Sequence, residues 1–80
     1  MMMEEELLEC YLGLDDQRRS RRFADTARVA DFVGLSQRTI QLWIEAGLIR
    51  AVRIGRKYQV DLESVKDHLR ACANGNSDRR

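Results

Sequence analysis

The hydrophobic period of this chain changes at Leu48-Ile49, and no other feature restricts the possible folds as much. Upstream, apolar residues recur at helical spacing: Ala27, Val29, Ala30, Phe32 and Val33, then Ile40, Trp43 and Ile44. Downstream, Arg50-Ala51-Val52-Arg53-Ile54 and Lys57-Tyr58-Gln59-Val60 alternate with period two. Gly34, Gly47 and Gly55 stand at the breaks. Two short helices must therefore meet at a tight turn and be followed at once by a hairpin.

Local signals set the boundaries. Asp25 is a good N-cap for a helix over Thr26–Val33, and Gly34 ends that helix as a left-handed turn residue. Leu35 is expected to fill the angle between this helix and the next. Ser36 caps a second helix running from Gln37 to about Ala46, with Gly47 as its C′ residue. Gly55-Arg56 reads as a two-residue turn of the Gly-X kind. Val52 and Ile54, with Tyr58 and Val60, are expected to form the face that docks on the helices. Asp61 caps a last helix from Leu62 to about Cys72, whose apolar face is Leu62, Val65, Leu69 and Cys72, with His68 beside it.

The remaining segments are simpler. Residues 1–14 form an acidic leader with a short helix from Met3 to Leu12, carrying Leu7, Leu8, Tyr11 and Leu12 on one face and Gly13 as its stop. Residues 15–22 are polar throughout and read as a basic linker. Residues 74–80 read as a disordered tail. The expected fold is mainly α with a small β-hairpin: a winged helix-turn-helix over residues 23–73, plus the N-terminal helix. Eighty residues suffice for one domain. A chain of this size buries only about 60–65% of its unfolded surface, so few apolar residues are left to line a pocket.

Charge is segregated. The net charge of +1 conceals six acids and no base in residues 1–16, which leaves the rest of the chain at +7. A basic domain behind an acidic leader is the electrostatic pattern of a polyanion binder, although the positions of the bases must decide the matter. Cys10 and Cys72 form no CxxC pair and are expected to be reduced, with a disulfide between the termini as the alternative. Neither a secretory leader pattern nor a run of about 20 apolar residues is present, so a cytoplasmic protein with no membrane contact is expected. One histidine, no glycine-rich phosphate loop and no metal-ligand set argue against an enzyme, a cofactor or a metal.

The second helix separates into two sides at about 100° per residue. Ile40, Trp43, Ile44 and Gly47 form a core stripe; Gln37, Arg38, Gln41, Leu42 and Glu45 lie opposite. Arg bonds guanine bidentately and Gln does the same for adenine, and the first residues of such a helix enter the major groove. Ser36 and Thr39 stand at the helix start, where backbone N–H groups hold phosphate. In the hairpin, Arg50, Arg53, Arg56 and Lys57 give four bases around the turn, a basic tip placed for phosphate or minor-groove contact; edge strands also carry bases to block strand addition. Arg18, Arg19, Arg21 and Arg22 either follow the DNA backbone or are simply solvated.

These residues resemble the excisionase-type winged helix-turn-helix domains of the MerR superfamily. The resemblance covers about 50 of the 80 residues. Its most specific parts are Gly34-Leu35-Ser36 with Arg38-Thr39, Trp43-Ile44 with Gly47-Leu48, and Val52-Arg53-Ile54-Gly55-Arg56. It implies double-stranded DNA as the partner, with Arg38 and Gln41 leading the base contacts and Arg53, Arg56 and Lys57 on the wing. It further implies an architectural factor of the excisionase kind, which associates with itself on adjacent sites, bends attachment-site DNA and biases an integrase toward excision. A small transcriptional regulator is the alternative, and a protein-interaction module a third reading. The long dimerisation helix and effector domain of MerR regulators are not part of the pattern. The acidic leader either docks on a neighbouring copy or folds back on its own domain.

Overall fold

A computed structural model describes residues 4–76 and orders them as α1 (Glu4–Gly13), α2 (Asp16–Arg22), β1 (Phe23–Ala24), α3 (Thr26–Val33), α4 (Gln37–Glu45), β2 (Ala51–Ile54), β3 (Lys57–Asp61) and α5 (Leu62–Asn76). The architecture is a winged helix-turn-helix with a three-stranded antiparallel sheet of order β1-β3-β2. The caps act where the side chains suit them. Asp25 accepts from the Arg28 amide at 2.9 Å, and Ser36 Oγ accepts from the Thr39 amide at 3.1 Å. Gly34 sits at φ 78°, and the Leu35 amide reaches back to the Ala30 carbonyl at 3.0 Å, which satisfies the end of α3. Asp61 Oδ1 accepts from the Glu63 amide at 3.1 Å and so caps α5.

The register of the hairpin corrects the expected docking face. The two-residue turn pairs Ile54 with Lys57, Arg53 with Tyr58, Val52 with Gln59 and Ala51 with Val60. Directly paired residues share a face, so Tyr58 and Val60 lie with Ala51 and Arg53, not with Val52 and Ile54. The sheet consequently has two apolar faces. Ala24, Ala51, Tyr58 and Val60 join Val29, Ala30, Ile40, Ile49 and Val65 in the main core, with Trp43, Ile44, Leu62 and Leu69 packed against it. Val52 turns to the other face, where it meets Phe23 and the fully buried Leu7 of α1. The leader helix folds back on its own domain, and Tyr11 meets Phe23 edge-on at 5.1 Å.

Other expectations fail for local reasons. The linker is a helix: Asp15 accepts from the Arg18 amide at 2.8 Å, Asp16 occupies the first turn, and Arg19, Arg21 and Arg22 occupy the last, each sign suited to the helix dipole. Phe32 and Leu35 are exposed, because α3 turns Val29, Ala30 and Val33 inward. α5 continues to Asn76, past the point where the tail was expected to begin; residues 77–80, and the leader helix's expected start at Met3, lie outside the described residues. Both cysteines are free thiols. His68 is half-buried, edge-on to Trp43 at 4.6 Å and 3.5 Å from Cys72 Sγ.

Candidate nucleic-acid interface

α4 presents its polar side because its apolar stripe is taken. Ile40 is fully buried and Trp43 and Ile44 pack on the core, so Gln37, Arg38, Gln41 and Leu42 must face solvent, and all four are exposed. Ser36 is committed to capping, and its Oγ also lies 3.0 Å from Thr39 Oγ1. Thr39 is half-buried. The start of the helix is thereby capped, while Gln37, Arg38 and Gln41 carry no side-chain partner among the described residues.

The wing supplies the second wall. Gly55 has φ 63° and Arg56 keeps a negative φ, the pattern of a type II′ turn, which matches the twist of the two strands. Arg56 and Lys57 project at its tip and are exposed. Arg53 is exposed as well, with its guanidinium 5.8 Å from the Tyr58 ring centroid and Nε donating to the Gly55 carbonyl at 3.3 Å.

Helix and wing border one cleft of about 260 Å³. Gln37 and Gln41 line it from α4, and Arg56, Lys57 and Tyr58 from the wing, with Asp25, Thr26 and Ala27 at its end. The fold thus brings two candidate base readers and two candidate phosphate contacts to one place, although at least 15 residues separate them in sequence. Arg38 and Leu42 are exposed on the neighbouring faces of α4. Tyr58 was missed as a lining residue; the hairpin register, read from the turn length, is the signal that would have found it.

The four arginines of α2 divide. Arg19 is consumed locally: its Nε donates to the Tyr11 carbonyl at 2.8 Å, its Nη2 donates to the carbonyls of Leu12 and Leu14, its Nη1 donates to Asp16 Oδ1 at 3.3 Å, and its guanidinium lies 4.8 Å from the Tyr11 ring centroid. Through the Tyr11 and Leu12 carbonyls it closes the C-terminal end of α1. Arg22 Nε donates to Oδ1 of the fully buried Asp61 at 3.1 Å, and Arg50 donates to Oδ2 at 3.2 Å. The hydrogen bond to Asp61 raises the Arg22 pKa above the usual guanidinium value, with desolvation opposing it. Arg18 and Arg21 are exposed and stand apart from the cleft between α4 and the wing.

Among the described residues no cluster of His, Cys, Asp and Glu could hold a metal ion, and no helix is long and apolar enough to cross a membrane. The sequence model described as a helix-turn-helix domain matches residues 25–73. Neither a curated protein nor a solved structure matches the chain.

Proposed function

The chain belongs to the helix-turn-helix domain family, a DNA-binding family, and on that premise we propose that it binds double-stranded DNA sequence-specifically, with α4 in the major groove and the β2–β3 wing on the flanking backbone. The observation that carries this reading is the shared cleft: Gln37 and Gln41 on one wall, Arg56 and Lys57 on the other. A helix fits the major groove, and an adjacent strand pair reaches the phosphates or the minor groove beside it. Arg38 and Gln41 read base edges; Arg53, Arg56 and Lys57 hold phosphate; Ser36 and Thr39 fix the helix start.

The motifs Gly34-Leu35-Ser36 and Val52-Arg53-Ile54-Gly55-Arg56 support an excisionase-like architectural role within this reading, with self-association on adjacent sites, DNA bending and an integrase as partner. Selection of duplexes from a random pool, followed by titration at stated salt concentrations, tests the core claim: one recovered sequence should bind at least about 10³-fold more tightly than random DNA. Equal affinity for all duplexes would overturn it. A circular-permutation mobility assay on the recovered site tests the architectural role, which predicts a bend.

A further inference from the structure

We propose that Arg18, Arg21 and Lys66 form a second phosphate-binding surface, separate from α4 and the wing tip, that grips the DNA backbone flanking the recognised site; the inference rests on the DNA-binding reading above. Arg18, Arg21 and Arg22 of α2 and Lys66 of α5 border a cleft of about 280 Å³, together with Leu14, Leu62 and Glu63. Arg22 is held by Asp61. Arg18, Arg21 and Lys66 are exposed, and their side chains have no hydrogen bond or ion pair among the described residues. Two elements far apart in sequence therefore converge three free cations on one concave surface, with Glu63 the one carboxylate in its lining. Arg18 and Arg21 stand three residues apart on one helix, where like charges repel. A polyanion relieves that repulsion.

The position of the cleft separates it from the wing tip. Arg22 leads into Phe23, which pairs with Asp61 at the base of β3, while the turn at Gly55-Arg56 is at the opposite end of that strand. At ~3.3 Å per residue the base lies roughly 13 Å from the tip, too far to share a phosphate with Arg56 or Lys57. A duplex already held by α4 offers its flanking phosphates at high effective concentration, so contacts too weak to capture DNA alone still add to affinity. Each phosphate neutralised releases condensed counterions and steepens the salt dependence.

The test uses the full chain and a site recovered by selection, presented as a short duplex that spans only the footprint of α4 and the wing, and as the same duplex extended by about one helical turn (~10 bp) on each side. For the triple variant R18Q/R21Q/K66Q, Kd for the extended duplex should rise about tenfold and its salt slope become shallower by about 2–3, with the short duplex unaffected. The variant R18K/R21K keeps the charges and should keep the slope. Unchanged binding of the extended duplex by the triple variant overturns the proposal, and so does an equal loss on both duplexes. Loss of self-association in DNA-free sedimentation with unchanged DNA binding also overturns it, and assigns the cleft to the acidic α1 of a second copy. R38A separates the two readings: it should weaken both duplexes, whether or not the second surface exists. Failure of the unmodified chain to bind either duplex removes both readings together.

Discussion

Arg22 and Asp61 stand 39 residues apart in sequence and 3.1 Å apart in the fold. Asp61 is fully buried, and Arg50 approaches its other oxygen, so one carboxylate joins α2, the first residue before β2 and the start of α5. The Ser64 hydroxyl completes the junction, accepting from the Arg50 amide at 2.8 Å and donating to the Asp61 carbonyl at 2.7 Å. Replacing Asp61 with Ala removes two ion pairs and a helix cap. Both arginines keep partial access to water, at 28% and 38% side-chain exposure, so they resolvate and the cost falls below that of stranding a fully buried charge. D61A is expected to cost about 2–4 kcal/mol, a fall in Tm of about 10 °C or more. Thermal unfolding by circular dichroism checks it.

The elements that were legible in the sequence are those with a cap and a stop. Asp25 with Gly34, Ser36 with Gly47, and the Gly55-Arg56 turn each mark a boundary by their own local chemistry, and the structure places α3, α4 and the hairpin close to those marks. α2 was not legible because its residues are polar, which leaves no apolar period; the signals were the Asp15 cap and the order of acid before base. β1 was hidden for another reason: a two-residue strand has no pattern of its own, and its partners Val60 and Asp61 lie far along the chain. The exposed polar side of α4, with Gln37 and Gln41, followed from angle alone. Their meeting with Arg56 and Lys57 depends on how the wing packs, which spacing does not encode.

Base readers and phosphate contacts should separate in a binding experiment. R38A and Q41A are each expected to cost about 1–3 kcal/mol on the selected site and to relax preference at one base pair. R56A and K57A should weaken all duplexes alike and each make the salt slope shallower by about 1. Titrations of selected and random duplexes at several salt concentrations check both; a uniform loss with R38A would remove it from the reading edge.

α1 is held to the domain by Leu7, which is 2% exposed and packs against Phe23 and Val52. L7A should cost about 2–4 kcal/mol, the transfer of the side chain plus the cavity it leaves. Leu12, on the same helix, is 63% exposed, and L12A should stay within about 0.5 kcal/mol. Urea unfolding of the two variants checks the contrast. Equal, small effects would mean that α1 is not docked on the sheet.

The turn between α3 and α4 depends on backbone conformation, not on space. Gly34 has φ 78°, and a Cβ built there meets nothing within 4 Å. Any cost of a side chain at this position is therefore the left-handed strain of an L-residue, about 1–2 kcal/mol, partly offset because a larger residue narrows the unfolded ensemble. G34A should lower stability by about 1 kcal/mol, and G34N by less, since Asn tolerates this region. An alternative response is for the turn to relax. The Leu35 amide would then lose the Ala30 carbonyl, and α4 would rotate relative to the wing. DNA affinity measured beside stability distinguishes the two: strain alone leaves Kd unchanged where the variant is fully folded, whereas a relaxed turn misaligns Gln37 and Gln41 with Arg56 and Lys57 and weakens binding.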